Sequence, residues 1–312
     1  MRPIFITGSE RSGTTLLAVL LGRHSRVAVT PETHFCYRLA AGDWRRPSDH
    51  DTLLHAFDRL PHVADLGISG DELAGRFRRS PPTPAALFNA LLEEYGDRRG
   101  CDIVAEKSPH HVFSGEMLLR HFPAGRLLHI FRDGRDTVQS IRNTGWSWVH
   151  PGRRVRAAVV WRQCVAAGTA LAENHPGRVL AVRYENLLRF PERELRSICA
   201  FVGIDWEKGM LAPQAGSEAV PPWEEAVKGK ACDSLDSSRV LAWRRTLVDR
   251  DHWLLNALMA PWLSRLSFPD CGRGDCPPLL WGYLQLLRPL AYLLYSRRAI
   301  RMYEAFRRPA SG

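Results

Sequence analysis

Three short segments hold residue types suited to gripping an anion. The first is Gly8-Ser9-Glu10-Arg11-Ser12-Gly13-Thr14-Thr15-Leu16, between a β-branched and aromatic run, Ile4-Phe5-Ile6-Thr7, and an apolar one ending at Leu21. Glycine lets backbone N–H groups converge on one ion, and a helix start adds partial positive charge. Thr14 and Thr15 add hydroxyls and Arg11 a fixed cationic fork. A nucleoside-triphosphate loop carries lysine before its last Ser/Thr. Here Gly13 stands before Thr14 and the cation comes earlier, as Arg11, which argues against an ATPase or kinase.

The second segment, His129-Ile130-Phe131-Arg132-Asp133-Gly134-Arg135-Asp136, runs into a helix carrying Ser140. Arg132 falls at a strand end, the edge where open α/β sheets bind ligands. Two turns of helix can return Ser140 to that edge. The third is Ala105-Glu106-Lys107-Ser108-Pro109. Lys107 is the only lysine before residue 208 in a chain with 43 Lys+Arg. A compact point charge is therefore wanted there, suited to a leaving oxygen that gains negative charge.

Taken in order, these segments resemble the sulfotransferases that use 3′-phosphoadenosine 5′-phosphosulfate (PAPS), most closely the protein-tyrosine and carbohydrate types. The resemblance covers roughly residues 3–250. It implies that Arg11, Ser12, Gly13, Thr14, Thr15 and Leu16 hold the 5′-phosphosulfate, and that Arg132 and Ser140 hold the 3′-phosphate. Lys107 steadies the leaving group. Tyr184, in Arg183-Tyr184-Glu185-Asn186-Leu187, lies near the 3′-phosphate or adenine. Lys228, Gly229 and Lys230 belong to a late basic loop over the nucleotide. The reaction implied moves a sulfuryl group to a hydroxyl acceptor and leaves 3′,5′-ADP, with no metal. The acceptor stays open among glycan, lipid, peptidyl tyrosine and metabolite.

Such a transfer needs a base near the first loop. Glu32, in Thr30-Pro31-Glu32-Thr33-His34-Phe35, matches the base of tyrosyl sulfotransferases. His34, His110 and His111 are rivals, since some relatives use histidine. The alternative activity is an ATP-dependent small-molecule kinase, whose magnesium would fall to Asp133. A non-catalytic binder of nucleic acid or membrane would need its basic residues in one stripe; here they are spread, except in the tail.

To position these groups the chain must alternate strands and helices. Short apolar runs at 4–7, 27–29, 102–105, 127–131 and 178–182 predict strands. Helices are expected at 14–23, 85–95, 136–142, 154–172 and 192–202. This is an α/β fold with a central parallel sheet flanked by helices, in the P-loop-like layout. Residues 1–270 form the sulfotransferase domain. Within it, 42–84 is an insertion of short helices and loops that, with 205–235, shapes the acceptor cleft.

The 312 residues are 45% hydrophobic and carry a net charge of +10, which suits anionic ligands without choosing one. Seven unpatterned cysteines, Cys271 and Cys276 among them, read as free thiols in a reducing compartment. With no signal peptide and no membrane span, the expectation is a cytoplasmic enzyme. The tail, 271–312, admits two readings: a helical hairpin packed on the core with its bend at Pro289, or a helix at 277–308 making peripheral membrane contact. The packed hairpin is the simpler one.

Overall fold

The computed structural model describes residues 2–39, 48–60, 63–144, 153–212, 220 and 235–295. Five strands form one all-parallel sheet: β1 (Arg2–Gly8), β2 (Val27–Val29), β3 (Ile103–Lys107), β4 (Arg126–Phe131) and β5 (Val179–Arg183), in the order β2-β3-β1-β4-β5. Connections from β1 run to one side and those from β4 to the other. The order therefore reverses beside β1, where the carboxyl ends of such sheets leave a crevice.

By its contacts the chain divides into two compact units. The first comprises 1–8, 13–131 and 167–237; the second comprises 9–12, 132–166 and 238–312. In the first unit the sheet is buried on both faces, as parallel strands require. Ile4, Phe5, Ile6, Leu127, Leu128 and Ile130 are all at most 2% exposed. Helix Pro84–Asp97 begins on a Thr83 cap with proline in its first turn. It carries Phe88 onto Phe5, Phe35 and Phe122. Helix Pro191–Val202 stops at Gly203, whose φ of 77° ends it in the left-handed region. Between 42 and 84, helices His50–Asp58 and Gly70–Phe77 form, the second on a Ser69/Glu72 capping box. Residues 213–219 and 221–234, most of the second expected cleft segment, lie outside the described residues.

In the second unit Arg135 is the hub. It is fully buried and grips Asp133 with two bonds of 3.0 and 2.7 Å. It also donates to the carbonyls of Pro269 and Asp270 and to Asn256 Oδ1, and lies 3.8 Å over the Trp243 ring. Helix Pro278–Leu294 packs on helix Asp249–Arg265 through buried Ala291 and a bond from Tyr292 Oη to the Leu258 carbonyl. Arg162 lies 4.0 Å over the Tyr292 ring. The expected bend at Pro289 is corrected: one helix runs through it. Proline there removes one helical hydrogen bond, and the helix continues past it to Leu294.

The helix Arg153–Asn174 passes over β4 at Gly168 in the first unit. A Cβ at Gly168 would lie 2.2 Å from the His129 ring, so only glycine permits this approach. Gly168→Ala is therefore expected to lower the melting temperature, by a few kcal/mol of stability on the scale of overpacked cores. Adding His129→Ala should recover part of that loss, so the double variant is more stable than the sum of the single losses. Additive losses in thermal denaturation would contradict the contact. His129 itself is buried, and burial pushes its imidazole down from 6.5 to about 4. The unfolded chain takes up this proton as pH falls from 6.5 to about 4 and the folded chain does not. The residue's contribution, about 3 kcal/mol, is thus complete above pH 6.5 and lost towards pH 4. His129→Asn should show a shallower fall in denaturation midpoint across that window than the wild type.

Candidate active site

The sheet unit brings Glu32 and Lys107 together. Lys107 ends β3 opposite Ile6 of β1, and its side chain is fully buried. Its ammonium donates to Glu32 Oε1 at 2.8 Å, and the Glu32 side chain is 16% exposed. The neighbouring residues pair in the same way. Thr33 Oγ1 donates to Glu106 Oε1 at 2.7 Å, and the backbone N–H of His34 donates to Ser108 Oγ at 3.1 Å. Segment 32–34 is thus laced to 106–108 at three successive residues.

Glu106 has no solvent contact and accepts three hydrogen bonds, from Thr33, from Ser108 Oγ at 2.6 Å and from His111 Nδ1 at 2.9 Å. Burial alone would push its carboxyl up. His111 and the two hydroxyls reverse this and hold it below the ordinary value. Sequence reasoning assigned Glu106 no role. The available signal was an acid inside a buried strand, which must find donors. The partners also fix the tautomer of His111: Nε2 accepts the Cys36 N–H at 3.1 Å, so Nδ1 carries the proton. Both nitrogens being engaged in the core, His111 is a support and not a base.

His34 has its Nε2 3.5 Å from Glu32 Oε2. Burial, partly countered by Glu32, pushes its imidazole down to about 4, so it is neutral at pH 7. Its φ of 52° is a left-handed conformation uncommon for a residue with a side chain, and such strain concentrates at functional sites. His110 is half-buried in the turn Pro109–Ser114.

Also in this unit, helix Thr14–Gly22 starts at Gly13 with no side-chain cap. Its first N–H groups are not capped by the side chain at that position, which is the arrangement that suits an anion. Thr14 is buried, while Thr15 and Leu16 are half-buried. Tyr184, on the turn after β5, packs against Gly13: a Cβ there would lie 2.4 Å from Tyr184 Cδ2.

The second unit contains Arg11, Ser12, Arg132 and Ser140. Ser12 Oγ bonds the Ser9 carbonyl at 2.7 Å, closing the loop tip. Arg11, with φ of 63°, donates from Nε to Ser140 Oγ at 3.1 Å. The cation of the first segment thus meets the hydroxyl of the second. Arg132 is 8% exposed; it donates to the Arg239 carbonyl at 2.8 Å and lies 3.7 Å from Asp136. Its own carbonyl accepts from Trp161 Nε1 at 2.9 Å. Burial, offset in part by Arg132, raises the Asp136 carboxyl to about 6. Asp133, the magnesium candidate of the kinase alternative, is fully buried and bonded to Arg135, Trp243 and its own helix start. Lys228, Gly229 and Lys230 lie outside the described residues.

Comparison with known proteins agrees with the fold. Protein-tyrosine sulfotransferase 2 of Gallus gallus is 25% identical over 225 residues, covering 67% of this chain and 53% of the relative. Protein-tyrosine sulfotransferase A of Caenorhabditis elegans is 26% identical over 222 residues, covering 67% and 51%. The chain thus spans about half the length of these relatives. Among solved structures, the sulfotransferase domain of the Synechococcus PCC 7002 olefin synthase matches with a TM-score of 0.58 at 21% identity, covering 80% of this chain and 89% of that one. The sulfotransferase domain from the curacin biosynthetic pathway matches with a TM-score of 0.58 at 19% identity, covering 86% and 98%. Both show the same fold. The sulfotransferase family matches residues 3–208, from β1 to beyond the helix that follows β5, and the chain belongs to that family.

Proposed function

We propose that this chain transfers a sulfuryl group from PAPS to an acceptor hydroxyl, leaving 3′,5′-ADP. The observation that carries the reading is the Glu32–Lys107 pair inside the family's span. A part-exposed carboxylate and a buried ammonium sit in contact on adjoining strand ends. Its partners are the nucleotide, a hydroxyl acceptor and, through the C-terminal helix, an acidic lipid surface. The curated relatives are named for protein tyrosine, which makes a phenolic hydroxyl the first acceptor to assay.

In this reading the acceptor oxygen attacks sulfur as the bond from sulfur to the phosphate oxygen breaks. The acceptor proton passes to Glu32. The charge that appears on the phosphate oxygen is met by Lys107. Neutral His34 stands beside the second carboxylate oxygen and adds no competing charge. Arg11, Ser12, Gly13, Thr14, Thr15 and Leu16 take the 5′-phosphosulfate, Thr14 from an uncapped helix start. Arg132 and Ser140 take the 3′-phosphate, and Tyr184 contacts the nucleotide at the 3′-phosphate or the adenine. The kinase reading has lost its magnesium ligand to the core, because Asp133 is bound by Arg135 and Trp243.

Glu32→Gln keeps the shape but cannot take the proton. It should bind 3′,5′-ADP as the wild type does and lose about 10²–10⁴-fold in turnover of a phenolic acceptor. Near-normal turnover in Glu32→Gln, with His34→Ala inactive, would move the base to histidine. Arg132→Ala and Ser140→Ala should each weaken 3′,5′-ADP binding by about 1.5–3 kcal/mol, since each removes a donor to a phosphate dianion. Titration calorimetry showing unchanged affinity in both would remove the 3′-phosphate assignment. ATP with magnesium stabilising the protein more than 3′,5′-ADP in a thermal shift would favour the kinase instead.

A further inference from the structure

We propose that the outward face of helix Pro278–Leu294 docks on an acidic lipid surface. The helix has two unlike sides. One is seated on its own unit through Ala291, Tyr292 and the carbonyl of Tyr295, which accepts from Gln163. The other carries Leu279, Tyr283, Leu286, Leu290, Leu293 and Leu294, exposed by 50 to 91%. At 100° per residue these six fall within a stripe about 100° wide. No charged residue interrupts it; Arg288 lies on the seated side. Among the described residues, seven of the nine exposed large apolar side chains belong to this one helix. Apolar surface gathered this way marks an interaction site.

The charge of the adjoining sequence selects the occupant. Residues 296–312 contain Arg297, Arg298, Arg301, Arg307 and Arg308 against a single acid, Glu304. An apolar helical face continued by a basic cluster matches the chemistry of an anionic bilayer, apolar beneath and negative at its surface. Among the described residues no helix is long and apolar enough to cross a membrane. The helix therefore lies along the surface, with its apolar stripe sunk to the level of the acyl chains.

The test is flotation of the full chain with phosphatidylcholine vesicles, made with and without phosphatidylglycerol, at low salt. The protein should float with the anionic vesicles and stay behind with the neutral ones. Leu286→Glu with Leu290→Glu replaces two exposed residues, so thermal unfolding should be unchanged while vesicle partitioning falls by more than about tenfold. Replacing Arg297, Arg298 and Arg301 by serine should reduce partitioning by roughly fivefold per arginine. Absence of flotation on anionic vesicles overturns the proposal. So does flotation that persists in the double glutamate variant. Sedimentation showing a wild-type dimer that this variant dissolves would assign the face to a second copy, and equally overturns it. Should the glutamates disturb folding, Leu286→Cys carrying an environment-sensitive dye decides: a blue shift on anionic vesicles supports docking, and no shift rejects it.

Discussion

The sheet unit's chemistry depends on the lacing of residues 32–34 to residues 106–108. Each rung joins unlike groups: carboxylate to ammonium, hydroxyl to carboxylate, backbone N–H to hydroxyl. Two of the partners, Glu106 and Lys107, are charged groups with no solvent contact. Removing one partner of such a buried pair leaves an uncompensated charge, at a cost of about 3–5 kcal/mol. The arrangement is therefore close to all-or-none. Successive strand residues face opposite ways, so Glu106 and Lys107 grip the incoming segment from two sides. This holds His34 in its left-handed conformation. It also sets the Glu32 carboxylate beside Lys107, so the proposed base and the proposed leaving-group cation are positioned by one device.

A similar economy governs the Arg132–Asp136 segment, where neighbouring residues of the same type do different work. Arg135 spends its donors on Asp133, Asn256 and two carbonyls, and its flat face on Trp243. Arg132 has its backbone held by Trp161 and its guanidinium at the edge of the buried region. The first organises the unit; the second presents a cation. Asp136 takes part in both. It accepts the Trp243 N–H at 2.7 Å and faces Arg132, and burial raises its carboxyl to about 6.

Much of the fold was legible because it is written in local patterns. Apolar runs such as Leu127–Phe131 declared buried strands, and Gly203 marked a helix end. The site was legible where a residue type is rare in its context. Lys107 stood out among arginines, and it proved to be buried and paired. Glu106 and Arg135 escaped notice for a physical reason. Their roles exist only once strands and helices distant in sequence are brought into register, and a charged side chain beside a more conspicuous one gives no local sign of being the better anchored. Pro289 misled in the opposite direction. Proline is a strong local breaker, but here the helix continues past it.

The first loop also explains the choice of cations. Gly8 and Gly13 stand at the spacing of a nucleoside-triphosphate loop, and on that alignment the lysine of such loops falls on Thr14, not on Gly13. Thr14 is 4% exposed, so a long cationic side chain there would have to displace packed neighbours. Gly13 admits no side chain at all, with φ of 105° and Tyr184 against it. Neither position can bear the cation, and the charge must come from elsewhere in the chain. In the proposed reading Lys107, at the end of β3, supplies it for the leaving group. In that reading the lysine that a kinase carries on its loop is replaced by one on a strand, held against Glu32. The proposed leaving-group cation and the proposed base consequently belong to one ion pair.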